Sequence, residues 1–310
     1  MFLTMQEQEA LVAKKLATKK TCGNFVTYKY HKRVMYDYLW DKHPELLECR
    51  GHTYDIRTGE LVLAAPRKSF NYLERDTWKD VPLNTEVIAF RKWNGFMASA
   101  RIVDGELLVA TTGTTNPETS QYVGWARREI LALPQDEAPT ENATSIYEIV
   151  IPEDPHIVAD EINGAIPLIA RMNNDVSYNF PVGSYDFISD YMITNSLGGI
   201  LELAKKERHE GWMVYDAKEF VGCVPIPSTC KIKTDYYVGK KKLMRMSPAK
   251  AAPLFTASGN CFAPIISTLP ERWHCLAYNL QRHTTKEIWV NSTDQERRAI
   301  IEELEERYYA

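Results

Sequence analysis

The sequence predicts an α+β protein: one large domain of antiparallel sheets with flanking helices, then a small, mainly helical C-terminal domain. Three observations point there. Between residues 52 and 238, β-rich runs alternate with turn signals such as Thr58-Gly59 and Asp104-Gly105. Helical periodicity is confined to the beginning, two internal stretches and the end. Beyond about Lys241 the composition changes, with Pro248, Pro253, Pro264 and Pro270 breaking the chain. The boundary is therefore placed at 240, giving domains 1–240 and 241–310.

Taken in order, Thr4 and Glu7 make a capping-box pattern, with Leu11, Val12 and Leu16 on one face of a first helix. Residues 52–65 predict a hairpin turning at Thr58-Gly59. Residues 87–112 predict a second, two β-rich runs joined at Asp104-Gly105. Pro117 to Leu131 predicts a helix, and residues 145–151 a strand. Residues 156–170 predict strands turning at Asn163-Gly164, and 200–208 a helix. Residues 211–226 and 230–238 return to strands, and a last helix starts at Thr293 with Glu296 as its capping partner.

Composition limits the classes of function. The 310 residues, 45% of them apolar and 25% charged, are enough for a sizeable core. No apolar stretch approaches the length needed to span a bilayer, and the start lacks a signal-peptide pattern. The cytoplasm is the expected location. The six cysteines (Cys22, Cys49, Cys223, Cys230, Cys261 and Cys275) are scattered, so free thiols are expected and zinc is not. A net charge of −4, from 37 basic and 41 acidic residues, argues mildly against a nucleic-acid partner. Local sign matters more, and residues 231–245 are strongly basic while Glu296 to Glu306 form an acidic block.

Four groups of residues carry chemistry. In FRKWNG (90–95), strand alternation puts Lys92 and Asn94 on one face and Arg91 and Trp93 on the other. Gly95 would let the backbone turn or approach a ligand. Such a lysine is either a nucleophile toward phosphorus or an exposed strand residue; a nucleophile would need its pKa lowered by burial and neighbouring cations. In KIK, Lys231 and Lys233 share a face, which suits either a polyphosphate between them or open solvent. Glu148 and Glu210 each stand at the mouth of an apolar strand, where a metal, ribose hydroxyls or water would satisfy them. Arg50 and Lys68 could clamp terminal phosphates, with Phe70 stacking on a base.

These pieces occur in one order: ECRG, K-S-F-N, K-W-N-G, Y-E, E-G and K-I-K. Order and spacing resemble the covalent nucleotidyltransferases, most closely the RNA ligase 1 family of tailed phages, over about residues 28 to 240. The resemblance implies the nucleotidyltransferase fold and an ATP-dependent RNA ligase. In that reading Lys92 accepts AMP and Gly95 closes its motif beside the nucleotide. Arg50 and Lys68 orient the phosphates, Phe70 lies next to them, and Tyr28 is the upstream nucleotide-contacting tyrosine. Glu148 binds ribose, while Glu210 and Gly211 lie near the metal and the reacting lysine, making Glu210 the metal candidate. Lys231 and Lys233 grip the α-phosphate region. ATP and Mg²⁺ are the implied cofactors, with Mn²⁺ as an alternative. The implied partner is RNA with 5′-phosphate and 3′-hydroxyl ends, expected to be single-stranded, with no membrane and no obligate protein partner.

Two positions depart from the family pattern. Asn94 stands where an Asp is usual, and Thr112 where a lysine is usual. Since the amide still accepts a hydrogen bond, Asn94→Asp is expected to stay active. The same fold serves DNA ligases and capping guanylyltransferases, but these carry an OB-fold where residues 241–310 do not read as five short strands. A non-catalytic RNA-binding relative is disfavoured by the intact lysine and glutamate set. In the tail, Arg272, Trp273 and Arg282 with the basic junction Lys240, Lys241, Lys242 and Arg245 suggest a single-strand RNA surface.

Overall fold

The first helix, Met5–Ala13, is set by a complete capping box between Thr4 and Glu7. It leads into an antiparallel sheet of β1 (Ala17–Cys22), β2 (Phe25–Tyr30), β3 (Arg50–Asp55) and β4 (Leu61–Leu63), in that order. The computed structural model describes residues 2–172, 178–179, 191–221, 228–256 and 266–309.

Two further antiparallel sheets form the centre. One has the order β10-β9-β8-β6-β7, from Tyr178–Asn179, Gly164–Met172, Ala143–Val150, Phe96–Val103 and Glu106–Thr111. The other has the order β11-β5-β12-β13, from Met192–Ser196, Glu86–Lys92, Gly211–Asp216 and Thr229–Lys233. Helix Leu197–Lys206 covers the second, burying Leu197, Ile200 and Ala204 against Val87, Ala89, Trp212 and Val214. Helix Gln121–Leu131 packs Ala126 and Ile130 against Ala98, Ala100 and Tyr147 of the first. The protein is thus α+β, with antiparallel sheets and flanking helices. Among the described residues no helix is long and apolar enough to cross a membrane.

Several elements differ from expectation, each for a local reason. Residues 87–103 are two strands in different sheets, because the chain leaves β5 at Lys92 and enters β6 at Phe96. The hairpin at Asp104-Gly105 joins β6 and β7 only, with both turn residues at positive φ. Residues 156–163 are irregular, and β9 pairs instead with β8. The strand at 211–226 ends at Asp216, followed by helix Ala217–Val221, and 222–227 lie outside the described residues together with Cys223 and Cys261. The strand at 230–238 stops at Lys233. There Thr234 caps helix Asp235–Met244, accepting from the Tyr237 amide at 3.1 Å and donating to the His209 carbonyl at 2.5 Å. The cap overrides the β-propensity of the two tyrosines.

This helix runs through position 240 and enters the core of the C-terminal helices. That core gathers Leu243, Leu254, Trp273, Leu280, Trp289 and Leu304, and takes in Ile157 and Val158 from the loop between β8 and β9. Lys240 is buried and pairs with Glu302 (2.9 Å) and Glu305 (3.4 Å) of the last helix, Asp294–Tyr309. Trp273 is 1% exposed, its Nε1 donating to the Asp235 carbonyl at 3.0 Å, and Arg272 lies over the Tyr236 ring. Neither Trp273 nor Lys240 therefore meets solvent, so the expected tail surface loses its aromatic and one of its lysines, while Lys241, Lys242, Arg245 and Arg282 are exposed. Trp273→Ala is expected to destabilise the protein by about 3–5 kcal/mol through the cavity it leaves, measured by denaturant unfolding.

Candidate functional site

Strand register brings the chemical residues together. Lys92, the last residue of β5, lies opposite Gly211 of β12, which lies opposite Lys233 of β13. Two positions along, Phe90, Met213 and Lys231 form the parallel row. Gly211 carries no side chain between the two lysines, and none fits: at φ +148° a Cβ there would lie 2.2 Å from the Ile232 carbonyl oxygen. Gly95 is equally constrained, since its Cβ would lie 2.1 Å from the Ile149 carbonyl oxygen.

The edge of β13 collects the third group. The Lys231 amide donates to the Phe70 carbonyl (2.9 Å) and the Tyr72 amide to the Lys231 carbonyl (2.8 Å), so residues 70–72 continue the sheet. Lys68 then stands over the Phe70 ring, its Nζ 4.6 Å from the centroid. Arg50 enters from the head of β3, with Nη1 3.4 Å from Met97 Sδ. Together Arg50, Lys68, Phe70, Lys92, Glu148 and Lys231 line one cavity of about 460 Å³ with apolar walls that include Trp78, Met97 and Ile169. A pocket of this size with convergent polar groups suits a small-molecule ligand.

The electrostatics are uneven. Glu210 bridges two ammonium groups, Lys92 at 3.1 Å and Lys233. Glu148 lies 3.8 Å from Lys92 and accepts from the Gly95 amide at 3.2 Å. Burial works against the Lys92 charge, but the two carboxylates outweigh it and raise its pKa above the ordinary lysine value. This corrects the expectation of a lowered value: the amine is held protonated. For Glu210, burial is outweighed by Lys92 and Lys233, and its carboxyl sits below the usual range. Burial and then Lys92 bring Lys233 down to about 8, against the pull of Glu210.

Lys231 differs in kind. Burial, followed by the charges of Arg50, Lys68, Lys92 and Lys233, drives it well below the ordinary value, with no carboxylate partner among the described residues. A cluster of cations facing an open cavity invites a polyanion.

Some expected residues are placed elsewhere. Tyr28 is fully buried between the first helix and its sheet, donates to Glu9 and packs edge-on to Tyr54. The neighbouring Tyr30, past a β-bulge, is the tyrosine that reaches Arg50 and stacks edge-on against Trp40. Asn94 does not share the Lys92 face, because the strand has already ended. Its Nδ2 donates to the Val158 carbonyl at 2.7 Å, and its backbone amide donates to buried Asp160 at 2.6 Å. A carboxylate there would face a carbonyl oxygen beside a second carboxylate. Asn94→Asp is therefore expected to cost about 1–3 kcal/mol in an unfolding titration. Thr112 lies outside the cavity, its Oγ1 accepting from Lys29 Nζ at 3.2 Å.

Asp160 itself was missed. Its side chain, with no exposed surface, also pairs with Arg91 at 3.3 Å, so it ties together the residues on both sides of Lys92. Two adjacent acids, Asp160 and Glu161, inside an assumed strand were the signal for a loop.

No protein-family model matches the chain, and no curated protein does. Among solved structures, it is similar to an archaeal ATP-dependent RNA ligase, at 12% identity and a TM-score of 0.48, covering 98% of this chain and 76% of that one. It is also similar to a putative ATP-dependent DNA ligase from Aquifex aeolicus, at 11% identity and a TM-score of 0.47, covering 96% and 76%. A third is a mutant of Naegleria gruberi RNA ligase with AMP and Mn, at 12% identity and a TM-score of 0.36, covering 57% of each chain.

Proposed function

We propose that this protein is an ATP-dependent RNA ligase of the nucleotidyltransferase type, carrying AMP on Lys92. The observation that supports it most is one cavity holding a carboxylate-flanked lysine beside a group of cations, with Lys231 at their centre. The motif order in the sequence supports RNA as the strand to be joined.

In this reading the ATP phosphates lie against Arg50, Lys68, Lys231 and Lys233, and the base enters the apolar part of the cavity. Lys92 Nζ loses its proton to solvent, with Glu210 accepting a hydrogen bond from it and holding it in place, and then attacks the α-phosphorus. A new N–P bond forms and pyrophosphate leaves. An RNA 5′-phosphate oxygen next attacks the same phosphorus, breaking the N–P bond and returning the lysine. Finally a 3′-hydroxyl attacks the activated 5′-phosphate, and AMP departs. Charge builds on phosphoryl oxygens at each step, where the lysines are pre-aimed. No group of three or more His, Cys, Asp or Glu that could hold a metal occurs among the described residues. A divalent cation arriving with the nucleotide would be held on the protein side by Glu210 and would offset charge on the phosphoryl oxygens.

Incubation with α-labelled ATP and denaturing electrophoresis tests the first step; chasing the label onto 5′-phosphorylated RNA or DNA tests the strand. The Lys92 ammonium must lose its proton, so adduct formation should accelerate as pH rises. Glu148→Gln removes one of the carboxylates that raise the Lys92 pKa, so the ascending limb should move to lower pH. A limb that moves upward or stays put would contradict this electrostatic assignment.

A further inference from the structure

A second cleft opens beside the nucleotide cavity, with a volume of about 630 Å³, between the β1–β2 face and the segment leading into helix Gln121–Leu131. Lys20, Lys29, Thr112, Gly113, Glu118 and Tyr122 are among its walls. Lys29 is half-buried at the junction. Burial and the charges of Arg50, Lys20 and Lys32 hold its ammonium below the ordinary value, and its one hydrogen bond among the described residues goes to the neutral Thr112 hydroxyl.

Arg50 connects the two clefts. It pairs with Lys29 in the β2–β3 register, and its charge also acts on Lys68 and Lys231. Lys20, Lys29, Arg50, Lys68 and Lys231 thus form one cationic row running from the second cleft into the first. Glu74 pulls the Lys68 value up less than burial and Arg50 push it down, and Glu118 stands at the rim of the second cleft. Like charges in a row repel unless anions are spaced along them. On the opposite wall, the helix begins at Ser120, which makes no side-chain capping bond, so the positive end of the helix dipole adds to the field. A single small anion would satisfy one cleft; the continuous row matches a repeating polyanion.

We propose that this second cleft holds a backbone phosphate of the polynucleotide strand whose 5′ end is delivered to the lysine-bound AMP. The proposal rests on the ligase reading for its last clause only; strand binding stands separately. Neither Lys20 nor Lys29 belongs to the nucleotide cavity, so the double variant Lys20→Ala/Lys29→Ala separates the two sites. Binding of a 5′-phosphorylated single-stranded RNA is measured by fluorescence anisotropy at several salt concentrations, beside Lys92 labelling from ATP. Labelling should stay within about twofold of the unsubstituted protein, whereas strand affinity should fall about tenfold or more. The slope of log affinity against log salt should become shallower by about one to two. Unchanged affinity and slope would overturn the proposal, as would equal losses of labelling and strand binding. Should the double variant fail to fold, the exposed single substitution Lys20→Glu makes the same distinction at an unchanged melting temperature. Absence of any Lys92 adduct in the unsubstituted protein would defeat the ligase reading, and the strand-binding measurement would still decide the cleft.

Discussion

Lys92→Ala is expected to abolish the covalent attachment of label from ATP, lowering the rate by more than about a thousandfold, or roughly 4 kcal/mol of barrier. The size follows from the surroundings. Arg91 is turned away to Asp160 and the Trp93 ring, and a guanidinium is never a free amine. Lys233 is held on the far side of Glu210, across Gly211 from Lys92. Lys231 lies two positions along the register and is committed to the cation cluster. None stands at the strand end where Lys92 meets the cavity. Peptide mapping of the labelled protein checks the assignment, and persistent label in the variant would sink it.

Lys231→Met should lose activity while gaining stability. A contact made to phosphate in the transition state is worth about 2.7–4 kcal/mol, so adduct formation should fall about a hundredfold to a thousandfold. Lys14→Ala, at an exposed helix end, should change little. The stability sign comes from linkage. The Lys231 pKa is depressed in the folded state, so between that lowered value and the unfolded value of about 10.4 the unfolded chain binds more protons. Its charge therefore weakens the fold at neutral pH, and stability rises as pH climbs through that window. Replacing it by an apolar side chain of similar length removes this cost, as expected where activity and stability trade off. Paired measurements of unfolding midpoint and labelling rate check the claim; a variant that loses both would mean Lys231 is structural.

Much of this arrangement was legible in the sequence because strand periodicity fixes faces. Lys231 and Lys233 lie on one face, as alternation requires, and Glu210 stands at the mouth of its strand. Glu148 instead lies within β8 rather than at its mouth, because that strand begins earlier, at Ala143. Less local features were not legible. Alternation placed Asn94 beside Lys92, yet the strand ended between them, and only the docking of Asp160 and Val158 explains the turn. Tyr28 and Trp273 illustrate the same limit: an aromatic among basic residues reads equally as a ligand contact or a core side chain. Burial is set by which sheet or helix covers it, which a single chain segment does not encode. The sign of the Lys92 shift also depended on two glutamates that are 56 and 118 positions away in the chain.

The pairing of residues 70–72 with β13 has a consequence for solubility. Thr229–Lys233 is the outermost strand of its sheet, and an open edge of this kind recruits strands from other molecules. The segment bearing Lys68 and Phe70 occupies the amide and carbonyl of Lys231 on that edge. The same few residues that wall the cavity thus also act as a guard against strand-by-strand self-association, so a change that loosens them for the sake of substrate access would expose a seam for aggregation.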